Sequence, residues 1–147
     1  MLLTSPSFNH NEKIPPKFTC DGPSINPELH ILNVPDEAKS LALIMDDPDA
    51  PGRTFTHWLV WNIDPKTTII KQESKPPGSI EGQTDFGRTG YGGPCPPSGT
   101  HRYFFKLYAL GAILNLSEGS DKKTLEQEIQ EHLIEKAELV GLYSRKP

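Results

Sequence analysis

Proline has no backbone N–H, and its ring clashes with the preceding turn of a helix. A chain with 15 prolines in 147 residues is therefore driven toward strands joined by rigid loops. The breakers concentrate in Lys75 to Gly78 (KPPG) and Phe86 to Gly99 (FGRTGYGGPCPPSG). Between such loops, Ser40 to Asp46 (SLALIMD) is almost wholly apolar, as expected of a strand buried on both faces. Phe55 to Ile63 and His101 to Leu110 are rich in aromatic and β-branched residues and read as further strands. Glu28 to Asn33 reads as a shorter, mixed strand and Leu139 to Ser144 as the last one. One stretch has a helical period: Leu125, Ile129, Leu133 and Ala137 fall four apart with charged and amide residues between them. Asp121 suits the positive end of that helix, with Ser120 or Thr124 placed to cap it; Thr124 with Gln127 also fits a capping box. The pattern predicts a mainly β sandwich with one late helix.

Length predicts one domain over residues 1–147. A net charge of −4 argues against a nucleic-acid binder, which needs a basic surface. The N-terminus, Met1-Leu2-Leu3-Thr4-Ser5-Pro6, lacks a basic region and a long apolar core, and no run approaches the roughly 18 apolar residues of a membrane span. Both point to a cytosolic protein without integral membrane contact. In that setting Cys20 and Cys95 are expected as thiols rather than a structural disulfide, with pairing left open.

Side chains alternate across a strand, so parity decides which groups face together. His101 shares its parity with Tyr103, Phe105, Leu107 and Ala109, while Arg102 and Lys106 take the other face. Asp47 follows Leu41, Leu43 and Met45; His57 precedes Leu59, Trp61 and Ile63 at the same parity. Each strand thus puts one polar group at the end of a core-facing row. If the ends meet, they make a polar site at the rim of an apolar core. The turn Asp46-Asp47-Pro48-Asp49-Ala50-Pro51 crowds three carboxylates into four residues. It reads either as a solvated Asx-Pro turn or as a partner for an imidazolium.

Three functional chemistries use these residue types. Two histidines and a carboxylate can hold a metal, but no HExxH or close His pair is present. Ser98 or Cys95 with a histidine base would make a hydrolase, but there is no G-x-S-x-G elbow, and Cys95 sits between prolines. A pocket for phosphate or a similar oxyanion needs donors in a partly enclosed space. Imidazolium, the Tyr103 hydroxyl and the Gly-rich backbone supply these, with no cofactor.

Taken in order, Asp47-Pro48-Asp49-Ala50-Pro51, His57 near the start of an apolar strand, and Gly93-Pro94-Cys95-Pro96-Pro97-Ser98-Gly99-Thr100-His101-Arg102-Tyr103 resemble the signature of the phosphatidylethanolamine-binding (Raf kinase inhibitor-like) family. Cys20-Asp21-Gly22, Asp85-Phe86-Gly87, Tyr91-Gly92 and Leu139 to Tyr143 are similar to its shorter prokaryotic branch. The resemblance implies a β-sandwich with a large central antiparallel sheet, a smaller second sheet and a C-terminal helix. It also implies a non-enzymatic anion pocket for phosphate or phosphoethanolamine-like groups. The pocket positions carried over are Asp47, Asp49, Ala50, Pro51, His57, His101 and Tyr103, with Pro96 or its neighbour Pro97. Asp47 is expected to orient an imidazole and favour its charged form, so that anion affinity falls as pH rises. The chain stops soon after Tyr143, without the extension that closes the pocket in animal members, which implies a more open pocket. An alternative role is protein-facing: inhibition of a serine protease or regulation of a kinase through rigid loops at Pro76-Pro77 and Pro94 to Ser98.

Overall fold

The computed structural model describes residues 1–145. In chain order the elements are β1 (Leu2–Thr4), β2 (Glu12–Lys13), a 3₁₀ turn (Pro16–Phe18), β3 (Leu29–Leu32), β4 (Ser40–Asp47), β5 (Phe55–Ile63), β6 (Ile69–Ile70), β7 (Ile80–Glu81), β8 (His101–Leu110), α1 (Lys122–His132) and β9 (Leu133–Tyr143). The large sheet runs β2-β9-β8-β4-β5-β7 and the small one β1-β3-β6. Every pairing is antiparallel except that of β2 with β9. This is the mainly β, two-sheet architecture with one helix that the sequence predicts.

β4 lies at the centre of the large sheet, and its apolar run is explained by burial on both faces. Leu41, Leu43 and Met45 join the core beneath the small sheet, with Leu3, Leu29, Ile31, Phe105 and Leu107. Ala42 and Ile44 face the other way, against Leu114, Leu125 and Ile129 beside α1. The helix starts where Asp121 accepts a hydrogen bond from the Thr124 backbone N–H (2.9 Å), so Asp121 is the cap, rather than Ser120 or Thr124.

The apolar stripe misplaces the helix end. Leu133 and Ala137 are not on α1; the chain turns extended after His132, and β9 runs eleven residues instead of the short strand expected from Leu139. Pairing decides this. β9 is hydrogen-bonded to β8 from His101 opposite Tyr143 to Leu110 opposite Leu133, and that ladder overrides a local period carried by Leu133 and Ala137.

The two cysteines are bonded to each other (Cα–Cα 5.4 Å), which overturns the thiol expectation. They lie 75 residues apart in sequence and meet only because the loop around Cys95 packs on the loop around Cys20, with the Cys20 N–H donating to the Pro94 carbonyl (3.0 Å). Among the described residues, no helix is long and apolar enough to cross a membrane.

A cross-link that closes so long a loop restricts the unfolded chain strongly. Replacing both Cys20 and Cys95 by serine is expected to lower unfolding stability by about 2–5 kcal/mol. Urea denaturation of the oxidised protein and the double variant measures this; equal midpoints would show that the bond contributes nothing.

Candidate functional site

The cavity forms where the ends of β4, β5 and β8 meet. Asp47, Ala50, Pro51, Phe55, His57, Phe86, Cys95, Pro96, Pro97, His101 and Tyr103 line about 190 Å³. Of the residues singled out in the sequence, Asp47, Ala50, Pro51, His57, Pro96, His101 and Tyr103 all border it, and Pro97 does so beside Pro96. Asp49 does not. Its carboxylate turns outward and accepts from the Arg102 backbone N–H (2.9 Å), Nε (2.9 Å) and Nη2 (2.8 Å). The Arg102 guanidinium holds the Asp49 carboxyl down to about 2. Asp49 therefore clamps the turn to β8 rather than facing the cavity.

Asp47 is almost fully buried, at 3% exposure, and both its oxygens are used. Oδ1 accepts the Asp49 N–H (2.8 Å), the Asx-turn bond of an Asp-Pro turn. Oδ2 accepts the His101 Nδ1–H (2.7 Å). One side chain thus makes both the Asx-turn bond and the bond to an imidazole, but buried rather than solvated.

His57 reaches the cavity by a different route from the one parity suggests. In the β4–β5 ladder Met45 pairs with Trp58 but Asp46 pairs with Thr56, so His57 is an extra residue at a β-bulge. The bulge puts His57 beside the Tyr103 ring (5.3 Å, edge-on), while Trp58, Val60 and Ile63 enter the core under the small sheet. Leu59 and Trp61, expected to share the His57 face, pack against the helix side instead. A second register shift, opposite Leu41 to Leu43, includes Asn62 with φ 56° and returns Ile63 to the first core.

The loop over the cavity is pinned to His57 by its backbone. The Gly92 N–H donates to the His57 carbonyl (3.0 Å), and the Gly92 carbonyl accepts the His57 Nδ1–H (2.7 Å). Tyr91 Oη donates to the Phe18 carbonyl (2.7 Å) and the Gly93 N–H to Ser24 Oγ (3.0 Å). A Cβ on Gly92 would lie 2.1 Å from the Phe86 ring, so glycine here lets Phe86 settle over the cavity. Phe86 stacks edge-on against Phe55 and His57 (4.9 and 5.3 Å) and stays 40% exposed at the mouth. Its loop is tied to β5 through Asp85, which accepts the Thr56 N–H (2.7 Å).

Phe55, Phe86 and Cys95 line the cavity without being expected as pocket positions from sequence, where Cys95 is weighed only as a nucleophile and Phe86 only as part of a motif. Phe55 has the parity of His57 and stands at the start of the same strand, a signal that was available. The Gly92 carbonyl carries no side-chain signal at all. Among the described residues, the grouping with metal-type donor atoms within 4.8 Å of one another is Glu128, Glu131 and His132, outside the cavity.

Burial lowers the pKa of His57 from 6.5, outweighing the Gly92 carbonyl and the Asp47, Asp46 and Asp85 charges, which favour the cation. The expected Asp–imidazole pairing thus exists at His101 but not at His57, which is kept neutral. Burial likewise raises the Tyr103 hydroxyl well above its ordinary range, so it remains a donor. Among the described residues that hydroxyl has no partner in hydrogen-bond geometry, although the Asp47 carboxylate and the Cys95 backbone lie near enough to influence its ionisation.

Above pH 6.5 His57 is neutral folded and unfolded, and its contribution is complete. As pH falls below 6.5 the unfolded histidine takes a proton that the folded one resists, so stability drops until the lowered pKa is reached. The His57→Gln variant is expected to lose this part of the acid slope, at most about 1.4 kcal/mol per pH unit. Urea melts across pH 4–7 test it; parallel profiles for the two proteins would refute it.

The family model described as phosphatidylethanolamine-binding protein matches residues 4–144. A UPF0098 protein of Pyrococcus horikoshii is 51% identical over 99% of this chain and 77% of its own length. A UPF0098 protein of Methanothermobacter thermautotrophicus is 47% identical over 99% of each. Among solved structures, a phosphatidylethanolamine-binding protein homologue from Chlamydia trachomatis superposes with a TM-score of 0.95 at 38% identity, covering 99% and 97% of the two chains. Escherichia coli YbcL, described as a member of the mammalian family of that name, gives 0.92 at 30%, covering 99% and 98%.

Proposed function

This chain belongs to the phosphatidylethanolamine-binding protein family, and on that footing we propose that it is a non-enzymatic binding module whose cavity holds a small oxyanion, phosphate or a phosphoethanolamine-like head group. The observation that carries the reading is the Tyr103 hydroxyl, buried, protonated and, among the described residues, without a partner in hydrogen-bond geometry. A buried polar group left unmatched costs about 1–3 kcal/mol, which a ligand oxygen accepting its hydrogen bond recovers. His57 and His101 border the same space, each with Nδ1 already engaged. The cavity, at about 190 Å³, is below the ~300–1,000 Å³ of sites that enclose drug-sized molecules. It therefore suits a head group, with the remainder of a larger ligand passing over Phe86.

The nucleophiles weighed for a hydrolase give no support to catalysis. Cys95 is bonded to Cys20, and Ser98 is exposed and not part of the lining. For the protein-facing alternative, a protease inhibitor or kinase regulator, the two loops leave Pro77, Cys95, Pro97 and Ser98 exposed while Pro76, Pro94 and Pro96 are buried. Cytosolic residence, part of this reading, requires an interior that preserves the Cys20–Cys95 bond, as in hyperthermophiles; elsewhere such bonds persist mainly in oxidising compartments.

Calorimetric titration with phosphoethanolamine tests the reading. His57→Ala, His101→Ala and Tyr103→Phe are each expected to weaken binding by about tenfold or more. Unchanged affinity in all three variants, with their folds intact by circular dichroism, would end it.

A further inference from the structure

We propose that the cavity selects an oxyanion that brings its own proton, such as hydrogen phosphate or a phosphomonoester monoanion, over one that has none, such as sulfate. The inference rests on the anion-binding reading above and adds to it the protonation state of the ligand.

The geometry begins at Gly92. A carbonyl oxygen can only accept, so the 2.7 Å contact between His57 Nδ1 and the Gly92 oxygen requires the proton on Nδ1. A neutral ring then has a bare lone pair at Nε2, the other polar atom of a side chain that lines the cavity. Burial keeps the ring neutral near pH 7 against the nearby Asp46, Asp47 and Asp85 carboxylates. His57 therefore presents an acceptor to the ligand. A fully deprotonated oxyanion offers only lone pairs, and two lone pairs repel. An anion with one O–H donates it to Nε2 and keeps its remaining oxygens for the Tyr103 hydroxyl.

The charge of the walls points the same way. Asp47 and His101 together carry zero or minus one charge, depending on whether the imidazole holds two protons or one. With His57 neutral, these residues provide no net positive charge to hold an unprotonated dianion. The other walls, Ala50, Pro51, Phe55, Phe86, Pro96 and Pro97, carry no charge. The guanidinium of Arg102 is committed to Asp49, and that of Arg53 to Asp85 (3.2 Å). A ligand acid proton is thus matched by a protein lone pair, and a site built to pair with such a group rejects analogues lacking it.

Inorganic phosphate and sulfate make the test direct. At about pH 8, above the second phosphate ionisation, both are tetrahedral dianions, and phosphate alone keeps an O–H. Calorimetry at that pH is expected to find phosphate bound at least about tenfold more tightly than sulfate. In His57→Gln, whose amide turns either a donor or an acceptor to the ligand, the ratio is expected to fall to about threefold or less. Equal affinities for the two anions in the native protein would overturn the inference while leaving the anion site standing. A tenfold preference retained in His57→Gln would also overturn it, by placing the discrimination elsewhere. If neither anion binds and phosphoethanolamine also fails, the reading beneath it falls, and this inference with it.

Discussion

A carboxylate taken out of water costs several kcal/mol unless its oxygens are matched, and the cavity is organised around one that is. Asp47 ends β4 with one oxygen on the Asp49 N–H and the other on His101 Nδ1. The first bond shapes the turn that carries Ala50 and Pro51 into the wall. The second ties that turn to the start of β8, where a paired ladder already brings Asp46 opposite Phe104. Without the imidazole, Asp47 would be a buried and half-satisfied charge; without the carboxylate, His101 would lose what fixes its ring. The pair and the turn require each other.

The far wall has no strand to hold it. Residues from Phe86 to Thr100 are irregular, and their place depends on separate stitches: Asp85 to the Thr56 N–H, Gly92 to both backbone and ring of His57, Tyr91 to the Phe18 carbonyl, and Cys95 to Cys20. Prolines at 94, 96 and 97 reduce the entropy lost in ordering such a segment. Close packing explains the glycines among them. At Gly93 an added Cβ would fall 2.3 Å from the Phe18 carbonyl oxygen, so this loop reaches the segment near Cys20 only with no side chain there. One cavity wall is therefore stabilised by contacts spread over some eighty residues of sequence.

What the sequence disclosed follows from which forces are local. The Ser40 to Asp46 run announced a strand buried on both faces, and breaker-rich loops announced where strands end. Alternation puts His101 and Tyr103 on the core face of β8 and Asp47 in phase with Leu41, Leu43 and Met45 on β4; that the two strand ends meet is supplied by the fold. The same rule failed on β5, where a bulge at His57 exchanges the faces of the residues after it. His57 still arrived at the cavity, but beside Trp58 rather than Leu59. Leu133 and Ala137 were assigned to the helix because nothing local says that β8 has an unpaired edge awaiting them. The disulfide was missed for a related reason: 75 intervening residues hide an encounter that only the folded loops create.

The two histidines illustrate why the irregular positions matter more than the regular ones. Both rings donate Nδ1–H at 2.7 Å, yet one faces a carboxylate and the other a peptide carbonyl. The Asp47 carboxylate holds the His101 ring through a charge-assisted bond. A carbonyl offers only a dipole, too little to offset the loss of water around His57, and that ring is held neutral. The difference arises from the bulge, which brings His57 into the cavity and under the Gly92 loop. Had β5 kept strict alternation, His57 would lie with Leu59 and Trp61 on the helix side, and the cavity would have one imidazole. An extra residue in one strand thus gives the site two chemically distinct imidazoles, one bonded to the Asp47 carboxylate and one, held to the Gly92 carbonyl, confined to accepting at Nε2.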